Sequence, residues 1–193
     1  MKKILVLISL FMLGSASFVL ADSGTDSSAN GSMFFQVNGD TSFPTANLAN
    51  QVNQGWGGEG SVGFRFPMNL ELAVESGYDT YSAKNGAFSG MWNMVPLVLK
   101  LQYDFGGASA PYLFVAGGFA FNSKTANFFG LNLSNNETDF LEEAGVGISI
   151  AMSSNSAFYV QAKIEVDNTT SAYASDVPTI VFPVNAGIRF SMD

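Results

Sequence analysis

The sequence predicts an all-β fold, an eight-stranded antiparallel up-and-down β-barrel, and three observations support this prediction. Apolar and polar residues alternate with a period of two along much of the chain, as in "AFYVQAKIEVD" at 157–167, and this period belongs to strands with two different neighbours. Helical periodicity is absent. The connections between the alternating segments are short and long in turn, which is typical of an up-and-down meander.

The N-terminal segment has the order of a secretory signal peptide. Two lysines precede a mostly apolar run that ends at Leu13, and small residues follow up to Ala21. The apolar run is shorter than the roughly 20 residues that a membrane-spanning helix needs. We expect residues 1–21 to be removed on export, with cleavage after Ala21 favoured over cleavage after Ala16.

The next segment, "DSGTDSSANG" at 22–31, predicts a flexible linker because it is rich in Ser, Gly, Asp and Asn. Residues 32–193 are expected to form one barrel domain. Its eight strands are predicted at 32–42, 58–66, 69–81, 91–105, 111–122, 139–152, 157–167 and 179–192.

The connections are of two kinds. Strands two and three are joined by "PMN", strands four and five by "GGASA" and strands six and seven by "SSNS", which all have the composition of tight turns. The other connections are longer and polar, at 43–57, 82–90, 123–138 and 168–178. Short turns therefore lie at one end of the predicted barrel and long loops at the other.

The composition excludes several classes of function. The chain has 16 acidic and 8 basic residues, so it is a poor candidate for binding nucleic acid. It has no Cys, which excludes disulfides and lipidated cysteine, and no His, which excludes Ser-His-Asp catalysis and the commonest metal ligand. We therefore predict no enzymatic activity, no cofactor and no metal site. Only 12% of residues are charged, whereas 18 are Phe, which is unusual for a soluble exported domain.

Alternation alone does not tell which face of the barrel is inside. In strand six the polar face reads Glu143, Gly145, Gly147, Ser149 and Ala151. A solvent-exposed face has no reason to be so small, whereas the interior of an eight-stranded barrel is only just wide enough for side chains. The polar face is therefore predicted to line the interior and the apolar face to contact lipid, which makes this a transmembrane β-barrel.

The charged residues agree with this orientation. If the "PMN" turn places Phe66 opposite Leu70, then Arg65 lies opposite Glu71. A Lys or Arg on the lipid face near the midplane costs roughly 2–4 kcal/mol. We expect these charged residues to form an interior network of ion pairs that neutralises itself. The alternative is that they form surface salt bridges. The candidate residues are Arg65, Glu71, Glu75, Lys100, Asp104, Glu143, Lys163, Glu165 and Arg189.

Two features near the strand ends are also predicted. Aromatic residues are expected to form two bands at the lipid–water boundaries, with Phe66, Phe105, Tyr112, Phe158 and Phe190 near the short turns and Tyr78, Tyr81, Trp92, Phe121 and Phe140 near the long loops. The carboxylates of Asp139, Glu142 and Glu143 are expected to gather at a loop end. A solvated rim is favoured there over a site for a divalent cation or cation-bridged lipopolysaccharide.

The chain resembles the small eight-stranded outer-membrane β-barrels of bacteria, the OmpA/OmpX-like family, over 32–193. Its last strand, "NAGIRFSM", is similar to the family's C-terminal assembly signal at Asn185, Gly187, Phe190 and Met192, although members commonly end on the aromatic residue itself. The resemblance implies a protein of the Gram-negative outer membrane, inserted by the barrel-assembly machinery. It implies contacts with outer-membrane lipids and lipopolysaccharide, termini in the periplasm, four loops outside the cell and no peptidoglycan-binding domain.

Several functions remain open at this point. We favour an envelope-structural or surface-interaction protein with a plugged polar interior, whose loops contact an unidentified extracellular ligand. The alternative is a porin-like narrow pore or conduit for small ions or small apolar molecules. A soluble secreted barrel that binds a ligand is a further alternative. A lipid-modifying barrel enzyme is disfavoured because the chain has no catalytic His.

Overall fold

A computed structural model describes residues 31–84, 89–106, 109–128, 131–168 and 178–192. They form a closed barrel in which each strand pairs with its neighbours in the sequence and the last strand pairs with the first. All pairings are antiparallel, which confirms the predicted fold class. The predicted signal peptide and all of the predicted linker except Gly31 lie outside the described residues.

The strands agree closely with the alternation of the sequence, because each segment of period two becomes one strand. Their bounds are β1 Ser32–Pro44, β2 Gly55–Phe66, β3 Leu70–Ser82, β4 Ser89–Asp104, β5 Ser109–Phe128, β6 Leu131–Ser153, β7 Ser156–Asn168 and β8 Thr179–Met192.

The largest difference from the sequence prediction is at the β5–β6 connection. The segment 123–138 was expected to be a long loop, but β5 and β6 remain paired as far as Phe128 and Leu131. Both faces of this hairpin are polar over most of its length. The apolar alternation that marks a strand in the sequence is therefore missing, although backbone pairing continues.

The short turn after β2 requires unusual backbone conformations. Pro67–Asn69 form a single 3-10 turn in which Met68 has φ 73° and Asn69 has φ 61°. This left-handed conformation is readily adopted by Asn but costs more for Met. The turn fixes the register in which Phe66 faces Leu70 and Arg65 faces Glu71.

The loop between β1 and β2 contains a short helix, α1, at Ala46–Ala49. The segment that follows this helix is hydrogen-bonded to the end of β3. The Asn53 backbone amide donates to the Ser82 carbonyl at 2.8 Å, and the Lys84 backbone amide donates to the Gln51 carbonyl at 2.8 Å. In the described part of the chain, no helix has the length and apolar character needed to cross a membrane.

The structure also assigns the faces of β1 and β5, which the sequence leaves open. On β1 the residues Phe34 and Gln36 are buried inside, whereas Phe35 is exposed on the outside. On β5 the inner face carries Tyr112 and Phe114. Because both faces of β5 are largely apolar, its alternation does not distinguish inside from outside.

Candidate functional site

The barrel has an inverted distribution of polarity. Large apolar side chains are exposed on the outer face of every strand, and charged side chains are buried inside. The described interior holds ten buried carboxylates but only three buried cationic side chains, Lys100, Lys163 and Arg189. Carboxylates therefore outnumber cationic side chains in the interior, even when the partly exposed Arg65 is included. Sequence parity identifies which residues point inward, but it does not ensure that their charges balance.

A first cluster lies at the short-turn end. The Arg65 guanidinium donates to Glu71 Oε1 at 2.7 Å and to Asp104 Oδ2 at 2.9 Å. Arg189 from β8 donates to the same Glu71 Oε1 at 2.9 Å. The Arg189 guanidinium also lies 4.8 Å from the centre of the Phe34 ring, within the range of a cation–π contact. Two arginines and two carboxylates thus form a closed network.

A cavity of about 150 Å³ lies beside this first cluster. It is lined by Arg65, Asp104 and Arg189 together with small residues of β5 to β8. The Arg65 side chain is 42% exposed, so this end of the interior is in contact with solvent.

A second cluster occupies the middle of the barrel around Lys163. Its Nζ lies 2.5 Å from Glu59, 2.9 Å from Glu165 and 3.2 Å from Glu143. Glu75 lies 3.7 Å from Lys163 and 2.8 Å from Lys100. Four carboxylates thus surround one fully buried ammonium group, and such charges are tolerated in a protein interior only when they are paired.

Neutral side chains lie between the first two clusters. Asn185 is completely buried, and its amide donates to Glu59 at 2.8 Å. Asn38 donates to the Tyr159 hydroxyl at 3.0 Å, and the Tyr112 hydroxyl donates to Gln161 at 3.2 Å. These contacts fill the space between the ion pairs with hydrogen-bonded side chains.

A third cluster lies at the loop end and is partly apolar. Trp92 stacks on Tyr81 at 4.5 Å between ring centres, and its indole donates to Asn122 at 2.8 Å. The Asn122 amide in turn donates to Asp139 at 2.8 Å and to Asp167 at 2.9 Å. Leu48 and Val52 of the first loop pack against the apolar part of this cluster, which also contains Met94, Leu141 and Val181.

Some of the predicted aromatic positions are wrong. Tyr81, Trp92 and Tyr112 were expected at the lipid boundaries, but all three lie inside the barrel and are nearly inaccessible. The other predicted band residues Phe66, Phe105, Phe158, Phe190, Tyr78, Phe121 and Phe140 are exposed. Parity along β4 places Trp92 on the face of Lys100, so the period of two predicts the facing of this residue and its residue type does not.

The predicted acidic rim does not form. Asp139 and Glu143 point into the barrel and are buried, whereas Glu142 is on the outer face. The three carboxylates are close in sequence, but residues adjacent along a strand point to opposite faces. In the described ranges, no group of three or more Asp or Glu side chains has the arrangement of a metal site.

Five buried carboxylates lie in the interior besides those predicted to form ion pairs there, namely Asp40, Glu59, Asp79, Asp139 and Asp167. Parity was a usable signal for Glu59, because it lies two residues before the inward Ser61. For Asp79 the signal is also parity, because it shares the polar face of β3 with Glu71 and Glu75. A Cβ on Gly57 would overlap the Asp79 carboxylate, so this glycine lets Asp79 lean across β2 toward β1.

The residues of the predicted assembly signal have clear positions in β8. Phe190 is on the outer face and stacks on Phe35 at 5.3 Å between ring centres. Gly187 lies against the backbone of Val37 and Asn38 on β1, where a Cβ would not fit. Met192 is exposed on the outer face at the end of β8, and Asn185 belongs to the interior network. Recognition by the assembly machinery stays a prediction.

No protein-family model and no curated protein sequence matches this chain. Solved structures do match. Neisserial surface protein A is 17% identical, with a TM-score of 0.63 over 84% of this chain and 99% of that one. A major outer membrane protein from Thermus thermophilus is 14% identical, with a TM-score of 0.59 over 83% of this chain and 99% of that one.

The outer membrane protein OprG from Pseudomonas aeruginosa is 14% identical, with a TM-score of 0.55 over 85% of this chain and 97% of that one. At these identities the likeness concerns the fold and not the ligand. This chain has the same strand count and closed antiparallel order as the matched barrels, and it covers nearly the whole of each of them. The chain therefore has the fold of the small eight-stranded outer-membrane β-barrels.

Proposed function

We propose that this chain is an integral protein of the bacterial outer membrane, with a filled polar interior and an envelope-structural or surface-interaction role. The inverted distribution of polarity carries the proposal. Water-soluble proteins rarely expose contiguous apolar patches larger than a few hundred Å². Here the outer face of every strand carries large exposed apolar side chains, and the buried ion pairs are inside.

The cost of the opposite orientation supports membrane insertion. A Lys on the lipid face near the midplane costs roughly 2–4 kcal/mol. Lys100 and Lys163 are both inside, where each meets at least one carboxylate within 3 Å. A closed barrel also leaves no unpaired sheet edge in the hydrocarbon region.

Side-chain packing along the interior supports a plug. Three groups of side chains fill the interior in order from the short turns to the loops. They are the ion pairs of the two arginines, the Lys163 cluster and the Trp92–Tyr81 stack. Leu48 and Val52 pack against the last of these. An eight-stranded barrel has room for side chains but not for a wide channel as well.

The long β5–β6 hairpin supports a role at the cell surface. β3 pairs with β4 as far as Ser82 and Met91, and β6 pairs with β7 as far as Phe140 and Asn168. β5 and β6 continue to Phe128 and Leu131, so a polar ribbon projects beyond the closed part of the barrel. We propose that this ribbon contacts the extracellular ligand, and we propose no catalytic activity because the chain has no His.

Cell fractionation combined with gel migration tests the location. The protein should be recovered with outer membranes, and the folded form should migrate differently from the boiled form. Recovery in the soluble periplasm, with no change of migration on boiling, would overturn the proposal. A tag inserted between Phe128 and Leu131 should be reached by antibody on intact cells, whereas a tag in the turn at Ser154 and Asn155 should not.

A second candidate function is a narrow passage for cations, which the excess of buried carboxylates favours. Planar-bilayer conductance separates the two candidates. A plugged barrel gives no sustained openings. Sustained cation-selective openings that are altered by Glu75→Gln or Lys100→Met would favour the passage, because these two residues form a buried ion pair between the neighbouring strands β3 and β4 in the interior.

A further inference from the structure

Two carboxyl groups near the loop end of the interior have oxygen atoms without partners. Asp40 on β1 is 7% exposed and Asp79 on β3 is 2% exposed. The Ser42 hydroxyl donates to Asp40 Oδ1 at 3.2 Å. Asp40 Oδ2 and Asp79 Oδ1 are inaccessible to solvent and accept no hydrogen bond from the described residues. Buried carboxylate oxygens normally have such partners, so these two atoms need an explanation.

The two carboxyl groups meet across the strand that lies between them. Gly57 on β2 is paired with Asp40 on one side and with Asp79 on the other. A Cβ on Gly57 would overlap Asp79 Oδ1, so the Asp79 side chain lies over this glycine and toward β1. There it is within hydrogen-bonding reach of the Asp40 carboxyl group. The missing side chain of Gly57 thus allows contact between two strands that are not neighbours in the sheet.

The interior cations do not neutralise this pair. In the described part of the chain, neither Asp40 nor Asp79 forms an ion pair with a Lys or Arg side chain. Lys163 lies among four other carboxylates, and Lys100 lies against Glu75. Two ionised carboxylates in contact, away from water and without a counter-ion, repel each other strongly. The pair therefore needs a positive charge that the described side chains do not supply.

The titratable groups that face the pair make this need stronger. Glu59 on β2 and Glu165 on β7 face it from the centre of the barrel, and the Tyr81 hydroxyl on β3 is buried beside it. Each of these groups is negative when it ionises. Trp92 on β4 and Val181 on β8, which pack with Tyr81, do not titrate.

A proton satisfies the pair better than a metal ion. A hard metal ion takes about six or more oxygen ligands. The pair offers two carboxyl groups and one hydroxyl, and no group of three or more Asp or Glu side chains in the described ranges has the arrangement of a metal site. A proton needs only two oxygen atoms. Two carboxyl groups in contact hold one because they do not both ionise.

We propose that Asp40 and Asp79 form a proton-binding site, in which one carboxyl group donates a hydrogen bond to the other. The bound proton joins β1 to β3 across Gly57, next to the inward Tyr81 on which Trp92 stacks. Its release at alkaline pH leaves two negative charges in contact and weakens the loop end of the barrel. The inference concerns the interior alone, so it does not depend on the proposed outer-membrane location.

Infrared spectroscopy of the full-length detergent-folded protein tests the site directly, because a protonated carboxyl group and a carboxylate absorb at different frequencies. We expect the unchanged protein to show a protonated Asp at neutral pH, assigned with isotope-labelled aspartate. Asp79→Asn should lose this absorption, since the amide N–H replaces the O–H donor and leaves Asp40 ionised. Asp40→Asn should lose it in the same way.

The matched control is Asp104→Asn. Asp104 accepts a hydrogen bond from Arg65 at 2.9 Å, so it is ionised and its substitution should leave the absorption unchanged. Equal absorption in Asp79→Asn and in the unchanged protein would overturn the proposal. Failure of both Asp79→Asn and Asp40→Asn to fold would also overturn it, because the amide in each variant supplies the donor that the proton is proposed to provide.

The pH dependence of stability gives a second readout with a definite sign. Unfolded Asp side chains release their protons in the acidic range, whereas the folded pair keeps one, so stability falls as the pH rises until the pair ionises. Relative to Asp79→Asn, the folding equilibrium constant of the unchanged protein should fall about tenfold per pH unit in this range. Urea unfolding measures this constant, and parallel pH profiles of the two proteins would contradict the shared proton.

The same unfolding experiment separates a proton from a metal ion. It is repeated in NaCl, MgCl2 or choline chloride at matched ionic strength. We expect the difference between the unchanged protein and Asp79→Asn to be the same in all three salts. A stabilisation by NaCl or MgCl2 that is present in the unchanged protein and absent from Asp79→Asn would show that a metal ion joins the two carboxylates, and it would overturn the proton site.

Discussion

Lys163 on β7 and Glu59 on β2 are 104 residues apart in the sequence, yet the Lys163 ammonium donates to Glu59 Oε1 at 2.5 Å across the middle of the barrel. Both side chains are almost inaccessible to solvent. The two strands are not neighbours in the sheet, so this contact connects opposite walls of the interior. It depends on barrel closure, because β7 and β2 face each other only after β8 has paired with β1.

Lys163→Met should strongly destabilise the folded barrel. The substitution keeps an unbranched side chain of similar length but leaves Glu59, Glu143 and Glu165 without their shared cation. Removing one partner of a buried ion pair costs about 3–5 kcal/mol. The change in the free energy of unfolding is measured by urea unfolding of the detergent-folded protein, with the heat-modifiable gel band as the readout of the folded fraction.

The control for this substitution is Lys124→Gln in the ribbon. Lys124 pairs with Glu137 at 3.1 Å, but its side chain is 43% exposed. An exposed pair contributes about 0–1 kcal/mol, so this variant should unfold near the same urea concentration as the unchanged protein. Equal effects of the two substitutions would show that the central cluster does not stabilise the barrel.

Lys100 and Glu75 should be energetically coupled, because their charged groups lie 2.8 Å apart and both side chains are buried. Lys100→Met and Glu75→Gln should each destabilise the barrel, and the double variant should lose less stability than the two single effects added together. We expect a coupling free energy of about 0.5–3 kcal/mol from a double-mutant cycle in urea. Simple additivity would contradict the pairing.

The fold was predictable because barrel closure and period-two alternation leave few alternatives. Strands such as β8 separate an apolar face, with Phe190, from a polar face, with Arg189, and the short turns fix the register. The same logic fails where both faces are alike. β5 has Tyr112 and Phe114 inside and Phe119 outside, so its sequence contains no signal for the facing.

The interior network was less predictable, because its partners come from strands distant in sequence. Arg65 and Glu71 face each other across one turn, so their proximity follows from the register of β2 and β3. The contact of Lys163 with Glu59 follows from no local pattern. The inward position of Trp92 was also missed, because a Trp near a strand end is typical both of a lipid boundary and of a capped interior.

Gly147→Val should destabilise the barrel, because the interior has no room for a side chain at this position of β6. A Cβ at this position would overlap the Tyr112 ring and lie 2.7 Å from the Val160 carbonyl oxygen. Overpacking of this kind typically costs about 1–3 kcal/mol. The matched control is Ala162→Val, which adds a branched apolar side chain to the exposed outer face of β7. A Gly147→Val protein as stable as this control would contradict the filled interior.

The two tryptophans should report opposite faces of the barrel wall. Trp56 is 63% exposed on the outer face of β2, whereas Trp92 is 6% exposed and stacked on Tyr81 inside. In vesicles that contain brominated lipids, the fluorescence of Trp92→Phe should be quenched strongly, since only Trp56 remains. The fluorescence of Trp56→Phe should be nearly unchanged by the same lipids, because the barrel wall separates Trp92 from the acyl chains. Strong quenching in Trp56→Phe would place Trp92 in contact with lipid and contradict its position in the interior.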